Sequence, residues 1–194
     1  FYAGIKVGHV EAGLRTYNLK SPFPEEANRH ITDRISQLHF APTPLNKENL
    51  LKEGMPEEGI VVTGNTVIDA LLFAKDKVTG FTQKMESDQV RTIFESDRRI
   101  ILVTGHRREN FGDGFLQICE ALKEIALRFP DLEIVYPVHL NPNVQRPVNE
   151  ILQDIRNIHL VAPMDYADFV YAMKKSWAIL TDSGGVQEEA PSLG

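Results

Sequence analysis

A single cysteine in 194 residues excludes an internal disulfide framework. Cys119 falls among Phe115, Leu116, Ile118 and Leu122 in a helical pattern, so it reads as a small buried hydrophobe rather than a nucleophile. No apolar run approaches the roughly 20 residues of a membrane-spanning helix. A reducing, cytoplasmic setting without membrane contact is the expectation. Positive charge is also scarce. Twenty-one Lys and Arg against 27 Asp and Glu leave a net charge of −6, which excludes the basic footprint of non-specific nucleic-acid binding. An anionic ligand must then be held by local cations and backbone N–H groups rather than by the overall field.

What is present is ordinary globular composition, enough for one large domain or two small ones. The chain opens "FYAGIKVGHV", without an initiator Met, and closes "EEAPSLG" just past a helix start. Both ends read as cut from a longer protein.

Short apolar runs alternate with amphipathic stretches. Strands are expected at 5–10, 38–42 and 59–64, then at 99–104, 132–138, 157–163 and 177–181. Between them, "SPFPEEANRHITDRIS" predicts a helix with Pro24 in its first turn and Ala27, Ile31, Ile35 and Leu38 on a buried face. Asn46–Glu53 is a helix closed by Gly54, and Asn65 or Thr66 caps a helix through about Val78. Later helices are expected near 114–129, 147–154 and 165–175, with one more starting after Gly185. Residues 79–98 are more polar and break the rhythm, so residues 81–98 are expected to connect two domains, 1–80 and 99–194. Strand–helix alternation of this kind predicts an α/β fold with parallel sheets and helices on both faces. Ligands of such sheets bind beyond the carboxyl ends of the strands.

The charged clusters fall at those ends. "TGHRREN" follows the strand at 99–104. Gly105 lets backbone approach a ligand, Arg107 and Arg108 can grip phosphate, and His106 can donate to phosphate or move a proton. The alternative is a solvated loop with weak Arg–Glu pairs, and placement at the strand end favours the site. "TDSGGVQEEA" follows the strand at 177–181. Ser183, Gly184 and Gly185 open a helix whose free N–H groups suit phosphate, and Glu188 or Glu189 can accept from ribose hydroxyls or simply complement the helix dipole. "GHVEAGLRT" carries Glu11 and Arg15 after the first strand, and "PFPEEANR" places Glu25 and Glu26 at a helix N-terminus. Several carboxylates around one site can divide acid and base roles. His139, in "PVHLNPN", ends a further strand and is a candidate ligand group. His9 and His30 are weaker candidates, and His39 and His159 read as packed. No His, Cys or carboxylate spacing matches a familiar metal site.

Taken in order, "GHVEAGLRT", "PFPEEANR", "VTGNTVID", "VTGHRREN", "PVHLNPNV" and "DSGGVQEEA" resemble the non-hydrolysing bacterial UDP-N-acetylglucosamine 2-epimerases over nearly the whole chain. The resemblance implies a GT-B-like architecture of two Rossmann-like parallel-sheet domains with the ligand cleft between them, both incomplete here. It implies interconversion of UDP-GlcNAc and UDP-ManNAc for cell-surface polysaccharide precursors, by elimination and re-addition of UDP through 2-acetamidoglucal, with no cofactor or metal. It also implies a homodimer in the full-length protein. By position, Glu11, Glu25 and His106 match the family's catalytic groups, and Ser183, Gly184, Gly185 and Glu189 its UDP ligands, with Arg15 joining the substrate-binding set. Arg107, His139 and Glu25 match contacts to a second, activating substrate molecule. The family's upstream glycine-rich turn and catalytic Asp, and its segment after the last helix, are not in these 194 residues, so this chain alone is expected to be inactive. The alternatives are a GT-B glycosyltransferase using a UDP-sugar, a hydrolysing epimerase, and a non-catalytic UDP-sugar-binding module.

Overall fold

The structure, a computed structural model, describes residues 1–81, 88–105 and 113–194. The chain forms two compact units, Phe1–Asp69 and Ala70–Gly194.

The first unit is built on a three-stranded parallel sheet in the order β1-β2-β3, with β1 at Gly8–Val10, β2 at Leu38–Ala41 and β3 at Ile60–Val62. Helix α1 spans Glu25–Ile35 and α2 spans Pro44–Lys52. Thr43 caps α2 by accepting the Asn46 N–H, and Pro44 occupies its first turn, where a missing N–H costs nothing. Gly54 follows the helix at φ 80°, the left-handed terminator expected there.

The buried face of α1 is not the one its apolar spacing predicts. Ile31 is 61% exposed, whereas Glu26 and Asp33 are wholly buried. The apolar core of this unit is correspondingly small: Ala12, Ala41, Leu50, Met55 and Ile60. A polar layer takes the place of a larger one.

The second unit holds a four-stranded parallel sheet in the order β6-β5-β4-β7: β4 is Arg99–Thr104, β5 Leu132–Pro137, β6 Ile158–Val161 and β7 Ala178–Thr181. Its helices are α3 (Thr66–Lys77, which begins in the first unit), α4 (Asp88–Glu95), α5 (Asp113–Arg128), α6 (Pro142–Leu152), α7 (Tyr166–Lys175) and α8 (Gly184–Glu189). Strand β4 is buried on both faces. Ile101 and Val103 join Phe115, Cys119, Leu122 and Ile134 in one apolar cluster, and Ile100 and Leu102 join Phe94, Val135, Val170 and Met173 in the other. This two-sided burial explains the unbroken apolar run of the strand.

Two sequence expectations change. The units meet at Asp69/Ala70 rather than near residue 80. Leu71 and Val78 of the α3 segment, and Val90, Ile93 and Phe94 of α4, all pack in the second unit's core. The Phe81 ring lies edge-on to Phe94 and Tyr171. Phe81, Val90, Ile93 and Phe94 of the stretch expected to link the domains therefore belong to, or pack against, the second unit's core. Helix α6 also starts five residues early: Asn141 caps it through the Asn143 N–H, and Pro142 rather than Pro147 takes the first position.

Candidate functional site

In the first unit the chain leaves β1 through a loop fixed at almost every residue. Glu11 has φ 67°, a left-handed conformation unfavourable for a residue with a side chain. Such strain persists where the surroundings over-determine it, and here they do. The Ala12 N–H donates to Phe40 O at 3.1 Å. Gly13, at φ 82°, passes so close to α2 that a Cβ would lie 2.3 Å from Asn46 O, and its carbonyl accepts from both Asn46 Nδ2 and Asn49 Nδ2. The Thr16 and Tyr17 N–H groups donate to Glu26 Oε1 at 2.9 and 3.0 Å, and the Tyr17 hydroxyl donates to Asn49 Oδ1 at 2.7 Å.

Arg15, expected to contact substrate, does something else. Its side chain is wholly buried. Nε and Nη2 grip the Glu53 carboxylate at 2.6 and 2.7 Å, Nη2 also reaches Asp33 Oδ2 at 2.6 Å, and Nη1 donates to Leu14 O at 2.9 Å. A guanidinium so occupied is an internal strut. Burial disfavours its charge, but Glu53 and Asp33 outweigh that and raise its pKa.

Around it lies the rest of the polar layer. His9 Nδ1 donates to Asp33 Oδ1 at 2.5 Å, the buried His39 donates through Nε2 to Asp33 O at 2.9 Å, and His30 lies 3.3 Å from Glu26 Oε1 and 3.7 Å from Glu53 Oε1. Burial pushes the Asp33 carboxyl up, but His9 and Arg15 outweigh it and hold its pKa below the ordinary value. For Glu26 the same burial is outweighed by the N–H groups of Thr16 and Tyr17. The Arg15 hydrogen bond likewise lowers Glu53. His9 and His30 are thus network members. Glu25, the first residue of α1, is exposed, while Glu26 beside it is buried.

In the second unit strand order marks a candidate ligand edge. From β4 the chain moves through β5 to β6, then returns to place β7 on the other side of β4. The β4/β7 boundary is a topological switch point, where the loops diverge and leave a crevice. Thr104 and Thr181 end the two strands with hydroxyls 2.5 Å apart. Thr181 Oγ1 also accepts the Ser183 N–H at 2.9 Å, and the Asp182 N–H donates to Thr104 O. Ser183 then takes the position before α8, without a side-chain cap hydrogen bond, and Gly184 and Gly185 open the first turn. A Cβ at Gly185 would meet nothing within 4 Å, so internal packing does not require glycine there. Glu189, at the end of α8, is 9% exposed, and burial followed by the charge of Glu188 raises its pKa.

Past β4, the Tyr136 hydroxyl donates to Gly105 O. His106, Arg107, Arg108 and Glu109 lie outside the described residues. Exposed His139, two residues beyond β5, accepts the Asn141 N–H through Nδ1 at 3.1 Å, which leaves Nε2 as the ring's donor. His159, expected to be packed, pairs with buried Glu133 at 2.6 Å, and buried Cys119 has its thiol pushed up to about 11, chiefly by burial. Among the described residues no helix is long and apolar enough to cross a membrane, and no group of three or more His, Cys, Asp or Glu is arranged to hold a metal ion.

The switch point, the glycine-opened helix and the strained Glu11 turn all lie within one continuous similarity. The profile of the UDP-N-acetylglucosamine 2-epimerases matches residues 1–194. The chain belongs to this family. The UDP-N-acetylglucosamine 2-epimerase of Campylobacter jejuni is 57% identical over 198 residues, covering 100% of this chain and 52% of that protein. Among solved structures, the Neisseria meningitidis UDP-GlcNAc 2-epimerase bound to UDP-GlcNAc superposes with a TM-score of 0.87 at 48% identity, over 100% of this chain and 52% of its own. The Methanocaldococcus jannaschii UDP-GlcNAc 2-epimerase, in complex with UDP-GlcNAc and UDP, gives a TM-score of 0.76 at 38% identity, over 99% and 52%. The chain spans about half the length of the curated relatives it matches. Its two parallel-sheet α/β units are those of the GT-B-like epimerase fold.

Glu11, Glu25, Ser183, Gly184, Gly185, Glu189 and His139 lie at or near strand ends or helix termini, whereas the Arg15 side chain is buried. Sequence reasoning missed the joint role of Glu26, His30 and Asp33. Their i, i+4, i+7 spacing on one face of α1 was the available signal.

Proposed function

We propose that the protein containing this chain interconverts UDP-GlcNAc and UDP-ManNAc by inverting C2, in a cytoplasmic setting and as a homodimer. The observation that carries this is Glu11, held left-handed at the carboxyl end of β1 in a chain that matches the epimerase family throughout. A base must remove the weakly acidic C2 proton while the C1–O bond to UDP breaks, giving 2-acetamidoglucal. Re-addition of UDP, with a proton delivered to the opposite face of C2, completes the inversion. The net change is redox-neutral, so the chemistry calls for no redox cofactor.

Glu11 and Glu25 are the carboxylates assigned to these proton transfers. Fixed backbone around Glu11 limits the ways it can face the sugar, which is how positioning lowers a barrier. His106 is assigned to the departing diphosphate. Ser183, Gly184 and Gly185 present N–H groups to the same diphosphate, with no Cβ on the two glycines to hold it away. Glu189 is assigned to the ribose hydroxyls: a carboxylate raised in pKa by burial gains from donors that water would otherwise supply. Arg107, His139 and Glu25 are assigned to a second substrate molecule that activates the first site.

The test is exchange. Full-length protein incubated with UDP-GlcNAc in D2O is expected to incorporate deuterium at C2 and form UDP-ManNAc with no acceptor present. Release of free ManNAc, transfer to an acceptor, or binding without exchange would each replace this reading by one of its alternatives.

A further inference from the structure

Glu26 is a fully buried carboxylate next in sequence to exposed Glu25. Oε1 takes the N–H groups of Thr16 and Tyr17 at 2.9 and 3.0 Å, with His30 Nε2 at 3.3 Å. Oε2 is buried with no hydrogen bond, and the nearest cation, Arg29 Nη1, stands off at 3.7 Å. This arrangement is unsuited to simple ion pairing. It serves one oxygen, and that oxygen holds two successive backbone amides of another segment. The Glu26 N–H donates to Pro22 O at 3.1 Å, and Thr16 Oγ1 donates to Ser21 O at 2.6 Å. The loop that begins at Glu11 and the turn that ends at Glu25 are therefore stitched together at Thr16 and Glu26. Arg15, the residue just before Thr16, is clamped to Asp33 and Glu53.

We infer that Glu26 is a positioning residue for the epimerisation: its Oε1 sets the separation of the Glu11 and Glu25 carboxylates, and its geometry rather than its charge matters. The inference rests on the assignment of Glu11 and Glu25 as catalytic carboxylates. Glu26 itself is buried and touches no reacting atom. Its effect passes through the backbone of residues 16 and 17 on one side and the first turn of α1 on the other.

Two variants of the full-length protein separate geometry from charge. Glu26→Asp keeps the charge and both oxygens but shortens the reach by about 1.5 Å, one carbon–carbon bond. Glu26→Gln loses the charge but keeps an acceptor oxygen in place, and the amide nitrogen falls where Oε2 makes no hydrogen bond. Turnover is measured per folded molecule, as C2 deuterium exchange normalised by the amplitude of a cooperative melt. Glu26→Asp is expected to lower kcat by about 100-fold, the cost of a misplacement on the ångström scale, with KM for UDP-GlcNAc changed far less. Glu26→Gln is expected to recover most of the wild-type kcat. A stabilising role alone would lower the folded fraction and leave kcat per folded molecule unchanged in both. Wild-type kcat in Glu26→Asp overturns the inference, as does a kcat in Glu26→Gln at or below that of Glu26→Asp. Glu11→Gln is run alongside: if it exchanges as fast as wild type, the catalytic assignment itself fails, whatever Glu26 shows.

Discussion

Arg15 Nη2 lies 2.6 Å from Asp33 Oδ2, with both side chains wholly out of solvent. The same guanidinium holds Glu53, and the same carboxylate holds His9. A buried pair of this kind is costly to halve, because the surviving charge is left without its partner. Asp33→Asn is expected to destabilise the protein by about 3–5 kcal/mol. Arg15→Lys loses the fork that spans two carboxylates and is expected to fall short of rescue. Urea melts of the full-length protein, followed by far-UV circular dichroism, measure both. An Arg15→Lys variant as stable as wild type would show that the fork geometry is dispensable.

The acid limb of stability follows from the same layer. Asp33, Glu26 and Glu53 all have folded pKa values below their ordinary values of 3.8, 4.5 and 4.5. A lowered carboxylate contributes stability that is fully present above its unfolded pKa and is lost as pH falls through the folded one. Stability should therefore be level with respect to these groups above about pH 5 and decline as pH drops below about 4. Asp33→Asn should flatten that decline. Thermal melts from pH 3 to 7 test it, and equal slopes in variant and wild type would remove Asp33 from the account.

Glu11 carries backbone strain at φ 67°. Replacing it with glycine frees the left-handed conformation and is expected to stabilise the protein by about 1 kcal/mol while abolishing C2 exchange. At Gly13 the sign reverses: alanine meets both φ 82° and Asn46 O, and Gly13→Ala is expected to destabilise. Denaturant midpoints for the two variants should move in opposite directions.

Glu189 gives a similar opposition. Its raised pKa means that ionising it works against folding, a cost absent at low pH and present once pH passes the folded value. Glu189→Gln is expected to raise the melting temperature at pH 7 and to weaken UDP binding by calorimetry. Tighter or unchanged UDP binding would remove the ribose assignment.

The second unit was easily legible in sequence. Its central strands β4 and β5 are buried on both faces, so "RIILVT" and "LEIVYP" announce themselves as apolar runs, and the glycines after "WAILT" mark a helix start beyond a strand end. Strand order was not legible. No local pattern says that β7 returns beside β4, yet that return makes the switch point. The first unit misled where its interior is polar. Ala27, Ile31 and Ile35 suggested the inner face of α1, but Glu26, His30 and Asp33 line it, because hydrogen bonding to Arg15, His9 and two backbone amides outweighs the transfer of Ile31 from water. Arg15 was misread for a related reason: an arginine beside a ligand-edge loop looks the same in sequence whether it turns outward or in.

The contrast between the two interiors has a consequence for how this chain can drift. Phe115, Leu122, Val148 and Leu152 sit in an apolar cluster where side chains of similar volume exchange at small cost. His9, Arg15, Glu26, Asp33 and Glu53 form an interlocked set in which one change strands the others. Under random mutagenesis the second unit should accept many neutral steps, one residue at a time. The first should accept few, and its successful variants should arrive in compensating pairs.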